Sequence, residues 1–289
     1  MKRCPACGTR LRSARDRCPV DGTPLQVLPD PLIGQLLAGR YVIEERIGSG
    51  GMGTVYRARH AAIGRQVAVK FLLPKHAKDS KMRERFLREA QAVNRIKHPH
   101  VVDITDFGET GEHVFLVMEH LDGRTLADVL TTGALDPSRV VRITEEIVEG
   151  LTRAHELGVI HRDIKPANIF LVHQDGRANF VKLLDFGIAK VVNAGPLTES
   201  GSLIGTPGYM APEQARGKVL DKRTDIWSFG CVLFEMLVGR PAFGGETISD
   251  TIARVLERDL EWDALPQSVP SRIRDLIRRC LQKDAHRRL

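Results

Sequence analysis

Short blocks of apolar and β-branched residues, separated by glycine-containing turns, characterise the chain between residues 41 and 119. Such blocks predict β-strands. Residues 80–97 differ, because their apolar side chains recur at helical spacing and Pro99 ends the pattern. The strands are expected at residues 41–47, 54–58, 66–72, 101–107 and 113–119. One helix among several antiparallel strands predicts a small α+β unit.

After Gly123 the spacing of apolar residues becomes helical. Helices are expected at residues 125–132, 137–157, 221–238, 247–257 and 271–282. In the third of these, Thr224 or Asp225 is expected to cap the apolar stretch that includes Trp227 and Phe234. The sequence therefore predicts a second, larger and mainly helical unit.

The first 28 residues contain two related turns, Cys-Pro-Ala-Cys-Gly and Cys-Pro-Val-Asp-Gly. Paired turns of this kind can hold one Zn²⁺ in a tetrahedron, and a metal gives so short a segment a reason to fold. The candidate ligands are Cys4, Cys7, Cys18 and Asp21. A site of three thiolates with another fourth ligand, or a disordered tail with free thiols, is the alternative. Residues 29–40, which open with two nearby prolines, are interpreted as a linker.

The composition limits the class of protein to which this chain can belong. With 289 residues, 42% hydrophobic and 27% charged, the chain is typical of a globular protein with a sizeable core. No apolar run is long enough to cross a bilayer, so we expect a cytoplasmic location and no membrane contact for these residues. The net charge of +7 is concentrated near both ends, where a solvated basic surface is the simplest interpretation.

The stretch His-Arg-Asp-Ile-Lys-Pro-Ala-Asn at residues 161–168, with Asp-Phe-Gly at 185–187, carries the most distinctive chemistry. Two acids, an amide and a lysine can hold a divalent cation and orient a hydroxyl, and oxygen ligands of this kind suit Mg²⁺. A polar loop between two strands is the alternative. A nucleotide-binding segment elsewhere in the chain would decide between them.

Such a segment is present. Residues 48–55 fit the pattern G-x-G-x-x-G-x-V, and a strand rather than a helix follows, which favours a hairpin over phosphates and not a dinucleotide site. Glycine lets the backbone approach phosphate oxygens closely. Lys70 ends the strand Val-Ala-Val-Lys, and Glu89 lies in the following helix where it can pair with Lys70. Taken singly, either residue is equally well a surface charge.

Together and in this order, these motifs resemble those of the eukaryotic-like serine/threonine protein kinases, including the type found in bacteria. The resemblance covers residues 41–289. It implies an α+β, bilobal protein kinase fold, with an N-lobe at 41–121 and a C-lobe at 122–289. It also implies transfer of the ATP γ-phosphate to serine or threonine hydroxyls of proteins, with Mg²⁺ or Mn²⁺ as the metal, in signal transduction.

The resemblance assigns catalytic and metal-binding roles residue by residue. Asp163 would accept or orient the proton of the substrate hydroxyl, and Lys165 would steady the transferred phosphoryl group. Asn168 and Asp185 would ligate Mg²⁺. The protein then does little covalent chemistry, because catalysis consists of positioning and charge stabilisation.

The nucleotide is expected to be held by both lobes. Lys70, fixed by Glu89, would contact the α- and β-phosphates. Gly48, Gly50 and Gly53 would cover the phosphates. The cofactor-binding residues in and next to this loop also include Ile47, Ser49, Gly51 and Met52. Val55, Ala68 and Phe170 would sandwich adenine, with Met118 as gatekeeper. Glu119 and Leu121 would offer backbone hydrogen bonds.

The resemblance further implies an activation segment that begins at Asp185 and ends with Ala-Pro-Glu at 211–213. We expect autophosphorylation at Thr198 and Ser200, and less readily at Ser202, with Arg162 as the cation on which a phosphate would dock. Glu213 is expected to pair with Arg288, and Asp225 to brace the backbone of the catalytic loop.

Two departures from the family pattern qualify the resemblance. The usual Lys-Asp-Pro is Lys-Asp-Ala at residues 283–285, and the sequence ends at Leu289, where a final helix is expected. We therefore expect part of a longer protein, since in many bacterial relatives a transmembrane helix and a sensor domain follow.

Two other classes of protein are the alternatives to an active kinase. A pseudokinase scaffold would require a changed Lys70, Asp163 or Asp185, and all three are intact. A nucleic-acid-binding module would rest on the basic N-terminal segment, which lacks aromatic residues for base stacking. A regulatory partner at that segment is the better expectation, alongside protein substrates and the kinase itself as acceptor.

Overall fold

The computed structural model describes residues 2–11, 15–28, 30–51, 53–174, 177–187 and 207–289. Four of the residues singled out from the sequence, Met52, Thr198, Ser200 and Ser202, lie outside the described residues.

The N-terminal segment forms a small antiparallel sheet. Its three two-residue strands are β1 (Lys2–Arg3), β2 (Arg10–Leu11) and β3 (Gln26–Val27), in the spatial order β2-β1-β3. Strands this short cannot bury a core of their own, so the stability of the segment depends on the turns between them.

The N-lobe is built on a six-stranded antiparallel sheet with the order β4-β5-β6-β7-β9-β8. The strands are β4 (Leu36–Leu37), β5 (Tyr41–Ser49), β6 (Gly53–His60), β7 (Gln66–Leu72), β8 (Ile104–Thr110) and β9 (His113–Glu119). Helices α1 (Pro74–Ala77) and α2 (Ser80–Asn94) connect β7 to β8. The Asp79 carboxylate caps α2 by accepting hydrogen bonds from two backbone N–H groups of its first turn.

Part of the stretch interpreted as a linker, residues 29–40, is built into this sheet. Leu37 is buried and pairs with Tyr41, and the Tyr56 hydroxyl donates a 2.8 Å hydrogen bond to the Asp30 carboxylate. Leu32 packs against the same core. Burial of leucine side chains from this stretch against the core removes apolar surface from water, which stabilises the folded chain more than a solvated linker would.

The C-lobe combines helices with one small antiparallel sheet of order β10-β11-β12. Its strands are β10 (Gly123–Thr125), β11 (Ile169–Gln174) and β12 (Arg177–Leu183). Its helices are α3 (Leu126–Leu130), α4 (Pro137–Glu156), α5 (Pro212–Ala215), α6 (Arg223–Val238), α7 (Ile248–Glu257) and α8 (Ser271–Cys280). Helix α6 is buried along most of its length and forms the centre of the main hydrophobic core.

Several boundaries differ from the sequence-based expectation. The helix expected to reach residue 97 ends at Asn94, and the strand expected from residue 101 begins at Ile104. Between them, Val101 forms an isolated parallel bridge with Leu183 of the C-lobe, and both residues are buried. The apolar residues that suggested a longer strand therefore connect the two lobes.

The expected cap of α6 is wrong. The helix begins at Arg223, so Thr224 and Asp225 lie within its first turn and are fully buried. Asp221 accepts a 2.8 Å hydrogen bond from the Arg223 backbone N–H instead. Among the helices of the described ranges, none has both the length and the apolar character needed to span a membrane.

Candidate active site

The catalytic loop, residues 161–168, lies between α4 and β11 and brings three of the expected side chains together. The Asn168 amide nitrogen donates 2.8 Å hydrogen bonds to the backbone oxygen and to Oδ2 of Asp163. The Lys165 ammonium lies 3.0 Å from the same Oδ2 atom. Because both amide hydrogens of Asn168 are used, its side-chain oxygen is left as an acceptor, which suits a metal ligand.

The backbone of this loop is held by Asp225, whose side chain is completely buried. One carboxylate oxygen accepts a 2.8 Å hydrogen bond from the His161 N–H, and the other a 2.7 Å bond from the Arg162 N–H. The His155 ring nitrogen lies 2.7 Å from Asp225 Oδ2. Arg162 has a left-handed backbone, φ 65°, which is strained for a non-glycine residue and is offset by these bonds. No local pattern in the sequence points to His155.

His161 connects the catalytic loop to the Asp-Phe-Gly segment. Its ring packs against that of Phe186 in a tilted arrangement with centroids 4.3 Å apart, and its Nε2 atom lies 3.0 Å from the Leu184 carbonyl. The Gly187 N–H donates a 2.7 Å hydrogen bond to the His161 carbonyl. Burial lowers the pKa of His161, although the charge of Asp225 opposes the shift. The buried His161 imidazole is therefore neutral at pH 7, and it joins the catalytic loop to the Asp-Phe-Gly segment through these contacts.

The Lys70 ammonium crosses from the N-lobe to the C-lobe and lies 2.6 Å from Asp185 Oδ1. Burial alone would lower the pKa of Lys70, but the charges of Asp185 and Glu89 outweigh burial and raise it. Glu89 is itself buried on α2. The Asp185 side chain is 50% exposed, so its carboxylate opens onto the cleft between the lobes. These groups form a charged cluster at the position where a nucleotide phosphate is expected.

The glycine-rich loop is the hairpin between β5 and β6. The Gly50 N–H donates a 2.8 Å hydrogen bond to the Gly53 carbonyl, and Gly48 pairs with Val55. A Cβ atom at Gly53 would lie 2.3 Å from the Phe71 carbonyl oxygen, so only glycine fits there. A Cβ at Gly50 or Gly51 would meet nothing within 4 Å. The loop therefore has open space beside its backbone, as a loop that covers phosphates requires.

The expected adenine-binding residues lie on both lobes. Val55 and Ala68 are on neighbouring strands β6 and β7, and Ala68 is in register with Met118 on β9. Phe170 is on β11 in the C-lobe. The remaining two, Glu119 and Leu121, lie at the end of β9 and just beyond it, where the chain passes from one lobe to the other.

Glu213 and Arg288 form the expected ion pair. Two guanidinium nitrogens lie 2.6 and 2.8 Å from the two carboxylate oxygens, and the Arg288 side chain is completely buried. Burial would raise the pKa of Glu213, but the hydrogen bond and charge of Arg288 lower it, so the carboxylate stays ionised. The pair joins the end of the activation segment to the C-terminal part of the C-lobe.

A second cluster lies in the N-terminal segment. One ligand atom from each of four residues falls within 4.8 Å of the others, and the residues are Cys4, Cys7, Cys18 and Asp21. The two turns repeat the same hydrogen bonds, since Gly8 N donates to Cys4 O and Gly22 N to Cys18 O, each at 3.0 Å. Three thiol groups and a carboxylate form a donor set that suits Zn²⁺.

Comparison with known proteins identifies the class to which this fold and cleft belong. The family model described as "Protein kinase domain" matches residues 41–289. Serine/threonine-protein kinase pkn2 of Myxococcus xanthus is 40% identical over 268 residues, covering 90% of this chain and 32% of the relative. Serine/threonine-protein kinase PrkC of Bacillus subtilis is 38% identical over 262 residues, covering 89% of this chain and 39% of the relative.

The chain therefore belongs to the protein kinase family, in its bacterial, eukaryotic-like serine/threonine branch. The family and the α+β bilobal fold expected from the sequence are confirmed. Membership of the family implies ATP and Mg²⁺ as the nucleotide and metal. The chain spans only 32% and 39% of the length of these two relatives.

Proposed function

We propose that this serine/threonine kinase transfers the γ-phosphate of ATP to serine and threonine hydroxyls of protein substrates, using the residues that meet at the cleft between its lobes. The single observation that supports this most strongly is that charged residues of the two lobes lie together at the cleft. Lys70 of the N-lobe contacts Asp185, and Asp185 lies beside the loop that carries Asp163 and Asn168.

In this proposal Asp163 takes or orients the proton of the acceptor hydroxyl, and Lys165, 3.0 Å from Asp163, stabilises negative charge on the transferred group. Asn168 and Asp185 would hold Mg²⁺, whose charge neutralises that of the phosphate oxygens when it is bound. The donors fit such an ion because an amide oxygen and a carboxylate that opens onto the cleft are both hard oxygen ligands.

The nucleotide would be fixed by Lys70 at its phosphates and by the backbone of Glu119 and Leu121 at its base. Gly50 and Gly51 have room beside their backbone for phosphate oxygens. Mn²⁺ in place of Mg²⁺ is compatible with the same oxygen ligands. Protein acceptors, rather than small molecules, are proposed from the names of the relatives.

The test is incubation with radiolabelled ATP, Mg²⁺ and a mixed protein extract, followed by phosphoamino acid analysis. We expect label on phosphoserine and phosphothreonine and none on phosphotyrosine. Label confined to phosphotyrosine, or no transfer from the γ-position of ATP, would contradict the proposal.

We propose that the kinase phosphorylates itself at Thr198 and Ser200. The support is Arg162, whose Nε atom is buried without a hydrogen-bond partner in the described structure, so a phosphate near it would gain a charge-assisted bond. Mass spectrometry of active protein should find both residues modified, and Thr198→Ala with Ser200→Ala should lower activity severalfold. Ser202→Ala is the comparison, and its effect should be smaller because Ser202 is expected to be phosphorylated less readily. An unmodified segment in fully active enzyme would refute this prediction.

We propose that the N-terminal segment binds one Zn²⁺ through Cys4, Cys7, Cys18 and Asp21. The clustering of four donor atoms in two similar turns supports it. Elemental analysis of the whole chain, purified under reducing conditions, should give about one zinc per molecule, and Cys4→Ser should release it. Cys280→Ser, in the core of the C-lobe, should retain the metal. Wild-type protein without zinc would refute the site.

A zinc-bound segment at this position offers a surface for a regulatory partner, and we propose that role over nucleic-acid binding. The support is the attachment of residues 30–37 to β5, which continues into the glycine-rich loop. The cytoplasmic location expected from the sequence stays a prediction.

A further inference from the structure

An ion pair that the sequence did not suggest lies at the junction between the two lobes. The Lys182 ammonium, on β12, is 2.6 Å from Oε1 of Glu119 at the end of β9. Both side chains are largely buried, with 12% and 21% of their surface exposed. Lys182 stands three positions before Asp185 in the chain. The pair therefore connects the proposed base-binding segment to the strand that leads to the proposed metal ligand.

Glu119 is also held by its other polar groups. Its backbone N–H donates a 3.0 Å hydrogen bond to the Asp103 carbonyl, and its Oε1 atom accepts a 2.8 Å bond from the Asp103 N–H. One carboxylate oxygen thus serves both Asp103 and Lys182. Such a residue has little freedom to turn, so the adjacent backbone is fixed in one position.

The segment that holds Glu119 is itself attached to β12. The Val102 N–H donates a 3.1 Å hydrogen bond to the Leu183 carbonyl, and the Leu183 N–H donates a 2.8 Å bond to the His100 carbonyl. Residues 100–103, Glu119 and β12 therefore form a closed set of contacts. Lys182 of the C-lobe adds an ion pair with Glu119 to these contacts. Both charged side chains of this pair are mostly removed from water.

We infer that Lys182 is a positioning residue for ATP binding, which acts through Glu119 to fix the lobe junction in the geometry that receives the adenine base. The inference rests on the proposed function. Loss of the ammonium leaves a largely buried carboxylate without its cation, and such a charge is costly unless the local backbone moves to rehydrate it. That movement displaces the backbone at Glu119 and weakens nucleotide binding, whereas the phosphoryl-transfer groups at Asp163 and Lys165 are unchanged.

The test compares Lys182→Met, Glu119→Gln and the double variant for KM of ATP, kcat, and the affinity for ADP measured by calorimetry. Each single change should raise KM and weaken ADP binding by about five- to tenfold, with kcat changed less than twofold. The double variant should bind no more weakly than the poorer single variant, because both changes remove the same interaction. Lys182→Arg, which keeps the charge, should restore affinity to within about threefold of wild type.

Lys97→Met is the matched control, since Lys97 pairs with Asp103 in the same region but is 64% exposed. It should leave KM and ADP affinity unchanged. A KM that does not respond to Lys182→Met or Glu119→Gln, or additive losses in the double variant, would overturn the inference. If Lys182→Met fails to fold, Glu119→Gln and Lys182→Arg still decide it. Wild-type protein that does not use ATP would count against the proposed function, whereas an unresponsive KM in an active wild type counts against this inference alone.

Discussion

Lys70→Met is expected to reduce kcat/KM for ATP by a hundredfold or more, because it removes the N-lobe cation that contacts Asp185. Lys70 is 11% exposed and its ammonium lies 2.6 Å from the carboxylate. Removal of one preorganised donor that stabilises developing charge in an active site costs about 10²–10³ in rate. The change also removes the positive charge of Lys70 from the vicinity of the buried Glu89 carboxylate on α2.

Steady-state kinetics at saturating Mg²⁺ would measure this effect, with a thermal melt to confirm that the variant is folded. Lys81→Met is the matched control, since it removes the same charge from an exposed position on α2. It should be as active as wild type. A folded Lys70→Met variant with near-normal activity would show that the cleft binds the phosphates in another way.

Arg288→Met is expected to give the largest loss of stability, about 3–5 kcal/mol in the free energy of unfolding. Its guanidinium donates to both oxygens of Glu213 and to the backbone carbonyls of Gln282, Arg223 and Lys283. It also lies 5.1 Å from the centre of the Trp227 ring. Methionine restores much of the volume but leaves the Glu213 carboxylate without its cation and several carbonyls without a donor.

Urea unfolding followed by tryptophan fluorescence would measure this loss, since Trp227 lies in the same core. Arg287→Met provides the comparison, because the neighbouring arginine is 78% exposed and should contribute less than about 0.5 kcal/mol. Equal stability of the two variants would mean that the Glu213–Arg288 pair contributes nothing beyond a surface ion pair.

The residues of the cleft could be predicted from the sequence where they belong to contiguous motifs. Asp163, Lys165 and Asn168 occupy one short loop, and local spacing is enough to bring them together. Lys182 and His155 were missed because each acts on a residue far along the chain, 63 and 70 positions away. A lone lysine on a strand or a lone histidine on a helix has no local pattern that distinguishes it from a surface residue.

Secondary-structure elements with a long periodic pattern of apolar residues could be predicted from the sequence. Elements that form because of tertiary contacts could not. Helix α4 begins at Pro137, as expected, because Asp136 caps it and a buried stripe continues from Val140 to Ala154, about four turns. Strands β11 and β12 pair in a stretch for which the sequence analysis assigns neither a strand nor a helix. Leu37, assigned to a linker, is buried because a partner strand is available beside it. Such pairings depend on residues outside any local window.

The most direct test of the central claim, that the cleft catalyses phosphoryl transfer through Asp163, is to measure transfer from ATP by wild type and Asp163→Asn side by side at saturating Mg²⁺ and ATP. Asparagine keeps the shape of the side chain and its place beside Lys165 and Asn168 but cannot take a proton. We predict that nucleotide affinity is retained and that transfer falls by about 10²–10⁴. Equal phosphorylation of the acceptor by the two proteins would contradict the mechanism.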